Sequence, residues 1–106
     1  MSDFVIILTT SDKKETLERI ANYLVEQRLA ACCQIIGLIE SFYIYEGKFE
    51  HTDEYLCIIK THSSLYNKVE SAIKLLHNYK TPEIVEIDIQ KLNLDYLKWM
   101  KEVLNI

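Results

Sequence analysis

AACCQIIGLIESFYIYEGKFEHTDEYLCIIKT, residues 30–61, is the stretch that decides the fold of this chain. Two runs rich in Ile, Phe and Tyr flank a turn at Glu46-Gly47-Lys48, and such residues favour pleated strands. Gly47 can supply the positive φ that a tight hairpin turn needs. We therefore predict one β-hairpin, with Cys32–Tyr45 paired with residues 49–60. Each arm exceeds the usual strand length of about 5–6 residues, so we expect part of the hairpin to serve a second subunit.

Composition places the chain among small globular proteins. Its 106 residues are 49% hydrophobic, which predicts a single domain over residues 1–106 with a real core. A net charge of −4 argues against nucleic acid as a partner, because phosphate binding needs clustered Lys and Arg. No apolar run reaches the roughly 18 residues of a membrane-spanning helix, and no secretory signal pattern precedes residue 4. We therefore expect a cytoplasmic protein with no membrane partner.

The segments around the hairpin predict alternating strands and helices. The apolar run at residues 4–8 predicts a buried strand, and Asp12 with Glu15 forms a capping-box pattern for a helix that ends near Leu29. Gly37 interrupts the first hairpin arm, which predicts a bulge or a close approach to the backbone. The remaining predicted elements are a helix over residues 65–77 capped by Ser63 or Ser64, a strand over 83–89, and a last helix that begins at Asn93 or Asp95.

This order of elements predicts an α+β fold. Two β-α-β halves indicate the split, ferredoxin-like sandwich, with the long hairpin and an extra C-terminal helix added. The helices would cover one face of an antiparallel sheet. The other face would be wet or shared, and the aromatic residues on the hairpin, Tyr43, Tyr45, Phe49 and Tyr55, favour a face shared between copies in a closed ring.

No active site is visible in the residues. There is no nucleophile–base motif and no glycine-rich phosphate loop, so we predict that the protein is not an enzyme. The three cysteines Cys32, Cys33 and Cys57 are interpreted as free, buried packing residues of a reducing compartment. His77 is interpreted as a partner for a helix dipole. Trp99 is expected to pack the last helix against the sheet.

Several motifs together resemble the CutA family of divalent-cation tolerance proteins. They occur in the family's order and span nearly the whole chain: LVE at 24–26, LAAC at 29–32, SFYIYEGK at 41–48, KT at 60–61, HNY at 77–79, PE at 82–83 and YLKW at 96–99. The resemblance implies a ferredoxin-like homotrimer with the architecture of PII signalling proteins. It also implies a role in tolerance to copper and other divalent cations, with copper binding in some members and no established reaction.

The resemblance is incomplete at the metal ligands. The copper ligands described for the family are a Cys at the end of the first strand and a His-His pair. Here Leu8 takes the first position and Leu76-His77 takes the pair, so only His77 remains as a candidate metal ligand. The thiolates of Cys32, Cys33 and Cys57 offer Cu(I) a softer alternative.

Two functions follow as hypotheses. The first is a non-enzymatic homotrimer that binds a metal ion, copper or another divalent cation, or a small anionic ligand at clefts between subunits. The cleft residues implied are Cys32, Tyr43, Lys60, Thr61, Tyr79, Glu83 and Trp99, with His77 as the metal ligand. The second is a structural trimer that anchors or organises a protein partner. A PII-like metabolite sensor is a weaker alternative, because the turn at Glu46-Gly47-Lys48 is too short for a phosphate-contacting loop.

Overall fold

A computed structural model describes residues 3–106. A four-stranded antiparallel sheet forms with the strand order β2-β3-β1-β4, and the α+β class predicted above is confirmed. The elements are β1 (Phe4–Ser11), α1 (Lys14–Glu26), β2 (Cys32–Tyr45), β3 (Lys48–His62), a 3-10 turn (Ser63–Leu65), α2 (Tyr66–Leu76), β4 (Val85–Asp88) and α3 (Leu94–Leu104).

The main core lies between one face of the sheet and helices α1 and α2. Side chains alternate along each strand, so the odd-numbered residues of β1 and the central part of β3 all point to this face. Ile7 and Ile59, which are register partners, are fully buried there. The helices contribute a stripe of fully buried residues at steps of three or four, as amphipathic packing requires: Leu17, Ile20, Leu24, Val69 and Ile73.

The opposite face of the sheet is apolar and largely uncovered. Leu8 is paired with Val85, and Ile6 with Ile87, so the two strands present aliphatic side chains together. Val85, Ile87 and Ile36 remain 44%, 47% and 48% exposed. Helix α3 covers only one end of this face, where Met100 and Leu104 pack with Phe4 and Ala31.

The predicted hairpin is confirmed and is somewhat longer than expected. Its arms are β2 and β3, of 14 and 15 residues. Glu46 and Gly47 both have positive φ, 50° and 79°, which is the conformation of a type I′ hairpin turn. The register shifts between Ile36 and Ile39, so the bulge predicted at Gly37 is also confirmed. The ring of Tyr55 packs directly on Gly37, where a β-carbon would collide with it.

The predicted boundaries of α1 were wrong at both ends. Its N-cap is Lys13, with no side-chain cap. Asp12 instead accepts a hydrogen bond from Asn78 Nδ2 at 2.9 Å, so its carboxylate serves a long-range contact. The helix ends at Glu26 rather than near Leu29, because Arg28 has a left-handed φ of 56° that terminates the helix.

The other helices differ in their caps and packing. The ring of His62, rather than the side chain of Ser63 or Ser64, accepts from the Ser64 N–H at the start of the 3-10 turn. Asn93, one of the two predicted alternatives, caps α3 by accepting from the Tyr96 N–H. The expectation for Trp99 was wrong: its side chain is 41% exposed, and the buried Met100 and Leu104 anchor α3 instead.

Candidate ligand cleft beside the hairpin

A cleft of about 550 Å³ lies between the hairpin and the segment of residues 79–83 that follows α2. Its volume falls within the range of roughly 300–1,000 Å³ that small-molecule sites occupy. Both strands of the hairpin, the end of β1 and the segment 79–83 contribute to the lining: Thr10, Ser41, Phe42, Tyr43, Tyr45, Glu50, Glu54, Tyr79, Lys80, Thr81 and Glu83.

Glu54 is the buried carboxylate of the cleft. Its residue is only 4% exposed, although it lies on a strand whose neighbours Asp53 and His51 are exposed. The Tyr79 hydroxyl donates to Glu54 Oε2 at 2.6 Å, a short bond of the kind that charged acceptors form. The same hydroxyl accepts from the Asp12 N–H at 2.9 Å. Burial and the Glu54 carboxylate together raise the pKa of Tyr79, so the phenol stays protonated and remains a donor.

His77 holds the approach to Tyr79 in place. Its Nδ1 accepts from the Tyr79 N–H at 2.9 Å, so the proton lies on Nε2, which donates to the Thr10 carbonyl oxygen at 2.8 Å. Burial lowers the pKa of His77, which favours this neutral ring. A neutral ring carries no positive charge that could interact with the negative, C-terminal end of the α2 dipole. Both nitrogens are engaged, so a metal ion at His77 would have to displace one of these hydrogen bonds.

Asn78 fixes the same loop to the end of β1. Its Oδ1 accepts from the Ser11 hydroxyl at 2.6 Å, and its Nδ2 donates to Asp12 Oδ1 at 2.9 Å. These partners are separated by 67 and 66 positions in the chain. The sequence gives no sign that Ser11, Asp12 and Asn78 support the site, because no local pattern marks a pairing over that separation.

The charged groups that line the cleft are mostly acidic. They are three carboxylates, Glu50, Glu54 and Glu83, and one ammonium, Lys80, which gives a local charge of −2. Partial burial and the negative charge of Glu54 raise the pKa of Glu83. Both causes disfavour the charged form of Glu83, and a bound cation would relieve the second of them.

The chain divides the seven predicted cleft residues among three places. Tyr43, Tyr79 and Glu83 line the cleft. Thr61 is buried in the core, where its hydroxyl donates to the Leu29 carbonyl at 2.6 Å. Within one chain, the expected meeting of the hairpin base with Tyr79 and Glu83 therefore does not occur.

The remaining three predicted residues gather around Tyr96 at the hairpin base. Cys32 and Lys60 are register partners, and Lys60 Nζ lies 5.7 Å from the centre of the Tyr96 ring. The centre of the Trp99 ring lies 5.3 Å from the centre of the Tyr96 ring. The cluster lies between α3 and the hairpin base, and none of its residues lines the cleft.

Two further features bear on what the chain can bind. Within residues 3–106, no three or more His, Cys, Asp and Glu side chains are grouped so that they could hold a metal ion. In the same part of the chain, no helix has the length and apolar character needed to cross a membrane.

The sheet, its helices and the cleft beside a long hairpin define a class of small α+β proteins in which a hairpin projects from a four-stranded antiparallel sheet. Residues 5–103 match the family model of the CutA1 divalent ion tolerance protein, and the chain belongs to this family. The resemblance drawn from the sequence motifs is thereby confirmed.

Individual relatives agree with this membership. The divalent-cation tolerance protein CutA of Archaeoglobus fulgidus is 39% identical over 102 residues, which is 96% of this chain and 97% of that protein. The chloroplastic protein CutA 1 of Oryza sativa is 38% identical over 92% of this chain, and the match spans 55% of the rice protein. This chain therefore spans about half the length of its rice relative.

Solved structures have the same fold. The periplasmic divalent cation tolerance protein CutA of A. fulgidus superposes with a TM-score of 0.91 at 38% identity, over 95% of this chain and 98% of that one. The divalent ion tolerance protein CutA1 of Ehrlichia chaffeensis superposes with a TM-score of 0.90 at 30% identity, over 100% and 99% of the two chains.

Proposed function

We propose that this protein acts in divalent-cation tolerance as a non-enzymatic homotrimer whose cleft binds a positively charged ligand. The observation that carries the proposal is the buried Glu54 carboxylate at the floor of a 550 Å³ cleft. A carboxylate in such a place is costly unless a donor or a cation compensates it. Tyr79 occupies Oε2 of Glu54, and Glu50 and Glu83 add charge of the same sign.

The lining suits a cation better than the anion expected from Lys60. Lys60 lies at Tyr96 rather than in the cleft, and Lys80 is outnumbered by three carboxylates. Tyr43 and Tyr45 add aromatic surface, and the faces of such rings attract cations. A hydrated divalent metal ion and a small organic cation both fit this description.

The donor set of one chain does not fit a tightly chelated metal ion. Both nitrogens of His77 are hydrogen-bonded, and within residues 3–106 no three metal-binding side chains form a group. The proposal is therefore that a metal ion is held through charge and its own water molecules, as Mg²⁺ often is, unless a second chain adds ligands.

The homotrimer is proposed from the uncovered apolar surface. Ile36, Val85 and Ile87 are each more than 40% exposed on the open sheet face, and long hairpins with unpaired edges favour closed assemblies. The cytoplasmic location remains a prediction, since the names of relatives include chloroplastic and periplasmic proteins. The PII-like architecture and the single-domain organisation likewise remain predictions.

Calorimetric titration with Zn(II), Cu(II) and a small organic diamine tests the ligand. We expect one of them to bind with a Kd of about 100 μM or tighter, roughly −5.5 kcal/mol. The Glu83→Gln variant should weaken that binding, because it removes one cleft charge and preserves side-chain shape. Glu102→Gln, on the exposed surface of α3, is the matched control, because it removes the same charge away from the cleft, and it should bind like the wild type.

Equal binding by Glu83→Gln and the wild type would contradict the cleft as the site. The absence of binding by all three ligands would contradict the cationic ligand. Assembly is tested separately by light scattering, where we expect three times the 12.5 kDa of the chain. A species of 12.5 kDa at micromolar concentration would refute the homotrimer.

A further inference from the structure

Cys33 and Cys57 lie side by side on neighbouring strands. Cys33 is the register partner of Ile59, and Cys57 is the register partner of Ile35. Each cysteine is two positions from the other's partner, so both thiols point to the same, helix-covered face and are diagonal neighbours. From the sequence alone, Cys57 can be assigned to the second arm of the hairpin but not to a partner. The strand register brings it next to Cys33.

The surroundings of the pair are apolar, with one open side. Cys57 is fully buried within the main core, and Cys33 packs against that core while remaining partly exposed. The Cys33 thiol donates a hydrogen bond to the Cys57 sulfur. This bond, with burial, raises the pKa of Cys33, and it lowers the pKa of Cys57 although burial opposes that change. The register and the burial therefore place two sulfur atoms together on the helix-covered face of the sheet.

We propose that Cys33 and Cys57 form a two-coordinate binding site for Cu(I). Thiolates are soft ligands that select Cu(I), and this ion accepts a linear arrangement of two sulfurs. The pair lacks the four ligands that a structural Zn(II) site requires. The site shares no residue with the acidic cleft, so it goes beyond the proposed function and does not depend on it.

The binding step is balanced without any change in oxidation state. Cu(I) displaces one proton from the Cys33 thiol and one from the Cys57 thiol, both protons pass to the buffer, and two copper–sulfur bonds form. The two neutral thiols become a centre with a net charge of −1, which is smaller than the −2 that two thiolates without the ion would carry. Smaller net charge lowers the cost of burial, and the partly exposed Cys33 gives the ion a route of entry.

Cys32 provides a matched control. It is adjacent to Cys33 in the chain, but it is the register partner of Lys60 and lies on the other face of the sheet. A free thiol is therefore present in every variant that keeps Cys32. If binding depends only on the number of thiols, Cys32→Ser and Cys33→Ser should weaken it equally. If binding depends on the geometry of the pair, Cys33→Ser alone should weaken it.

The experiment is an anaerobic Cu(I) titration of the reduced protein against a chromophoric Cu(I) chelator, with X-ray absorption to count the sulfur ligands. We expect one Cu(I) per chain with two sulfur ligands in the wild type and in Cys32→Ser. Cys33→Ser should lose this stoichiometric binding. Cys57→Val should lose it as well and preserves an apolar core side chain. Circular dichroism and the Tm of each metal-free variant establish that it is folded.

Three results would overturn the proposal. They are Cu(I) binding by folded Cys33→Ser with wild-type affinity, loss of binding in Cys32→Ser, and absence of stoichiometric Cu(I) in the wild type. Glu83→Gln separates this site from the cleft, because it should bind Cu(I) as the wild type does even where its binding of divalent cations is weakened. Failure at either site is thus distinguishable from failure at the other.

Discussion

The base and the tip of the hairpin contain similar residues but differ sharply in exposure. At the base, Cys57, Ile59 and Thr61 are completely buried, whereas Ile44 and Phe49 near the tip are 74% and 70% exposed. The difference arises because β1 pairs with the base along eight residues, from Phe4 opposite His62 to Ser11 opposite Tyr55, and helices pack on that part of the sheet. Side-chain type alone therefore does not decide burial in this hairpin.

This difference separates two roles along one pair of strands. The base belongs to the core and contributes to the stability of each chain. The tip has two faces. On one face the Phe42 ring stacks on the His51 ring, with 4.1 Å between the ring centres. On the other face the hydroxyl oxygens of Tyr43 and Thr52 are hydrogen-bonded at 3.0 Å. Such an exposed apolar surface is typical of a contact between molecules. We expect mutations at the base to lower stability and mutations at the tip to lower association.

The largest expected effect distinguishes these roles directly. Ile59→Ala should lower the free energy of unfolding by about 2–5 kcal/mol, because it leaves a cavity in a packed core. Phe49→Ser should instead preserve the secondary structure of the chain and weaken assembly. Chemical denaturation and sedimentation at several protein concentrations measure the two effects. Similar responses of both variants in both assays would remove the distinction between base and tip.

A smaller effect is expected where base and tip meet, at the bulge. Gly37→Ala should destabilise the fold by about 1–3 kcal/mol, the cost of overpacking, because its new methyl group would meet the Tyr55 ring. Gly47→Ala at the tip is the companion variant, since it has open space around the site and strain only from its φ of 79°. Denaturant midpoints compare the two. A larger loss for Gly47→Ala would show that turn geometry outweighs the Tyr55 contact.

The smallest expected effect concerns pH and arises at His77, which supports Tyr79 from beside the cleft. Burial lowers the pKa of His77 in the folded chain below its ordinary value of 6.5. The neutral ring therefore contributes stability that is present above that value and is lost over the pH interval below it. His77→Gln, which cannot titrate, should have a flatter stability profile over that interval. Parallel profiles for the two proteins would contradict this role of His77.

Much of the fold followed from local patterns. The apolar period of α1, the type I′ turn at Gly47 and the bulge at Gly37 each reflect short-range sterics, which neighbouring residues control. Helix ends were less predictable. Asp12 has the pattern of a cap, yet its carboxylate is drawn to Asn78, so a distant partner outweighed a local one.

The candidate site was only partly predictable for the same reason. Tyr43, Tyr79 and Glu83 line this cleft of the single chain, and their role in ligand binding stays a prediction. Glu54 is absent from the cleft residues predicted from the sequence, although its 4% exposure makes it the buried carboxylate of the cleft. Nothing in its neighbours along the chain distinguishes it from Asp53, because its burial depends on a loop that arrives 25 positions later to deliver Tyr79.

By itself the sequence determined the order of elements, the hairpin and its turn, and membership in a family of divalent-cation tolerance proteins, because these depend on local sterics and on motifs in a fixed order. Only the tertiary structure decided that Tyr79 meets Glu54 and that Cys33 meets Cys57. Those contacts depend on strand register and loop docking, and a shift of one residue in register would turn every side chain of a strand to the other face.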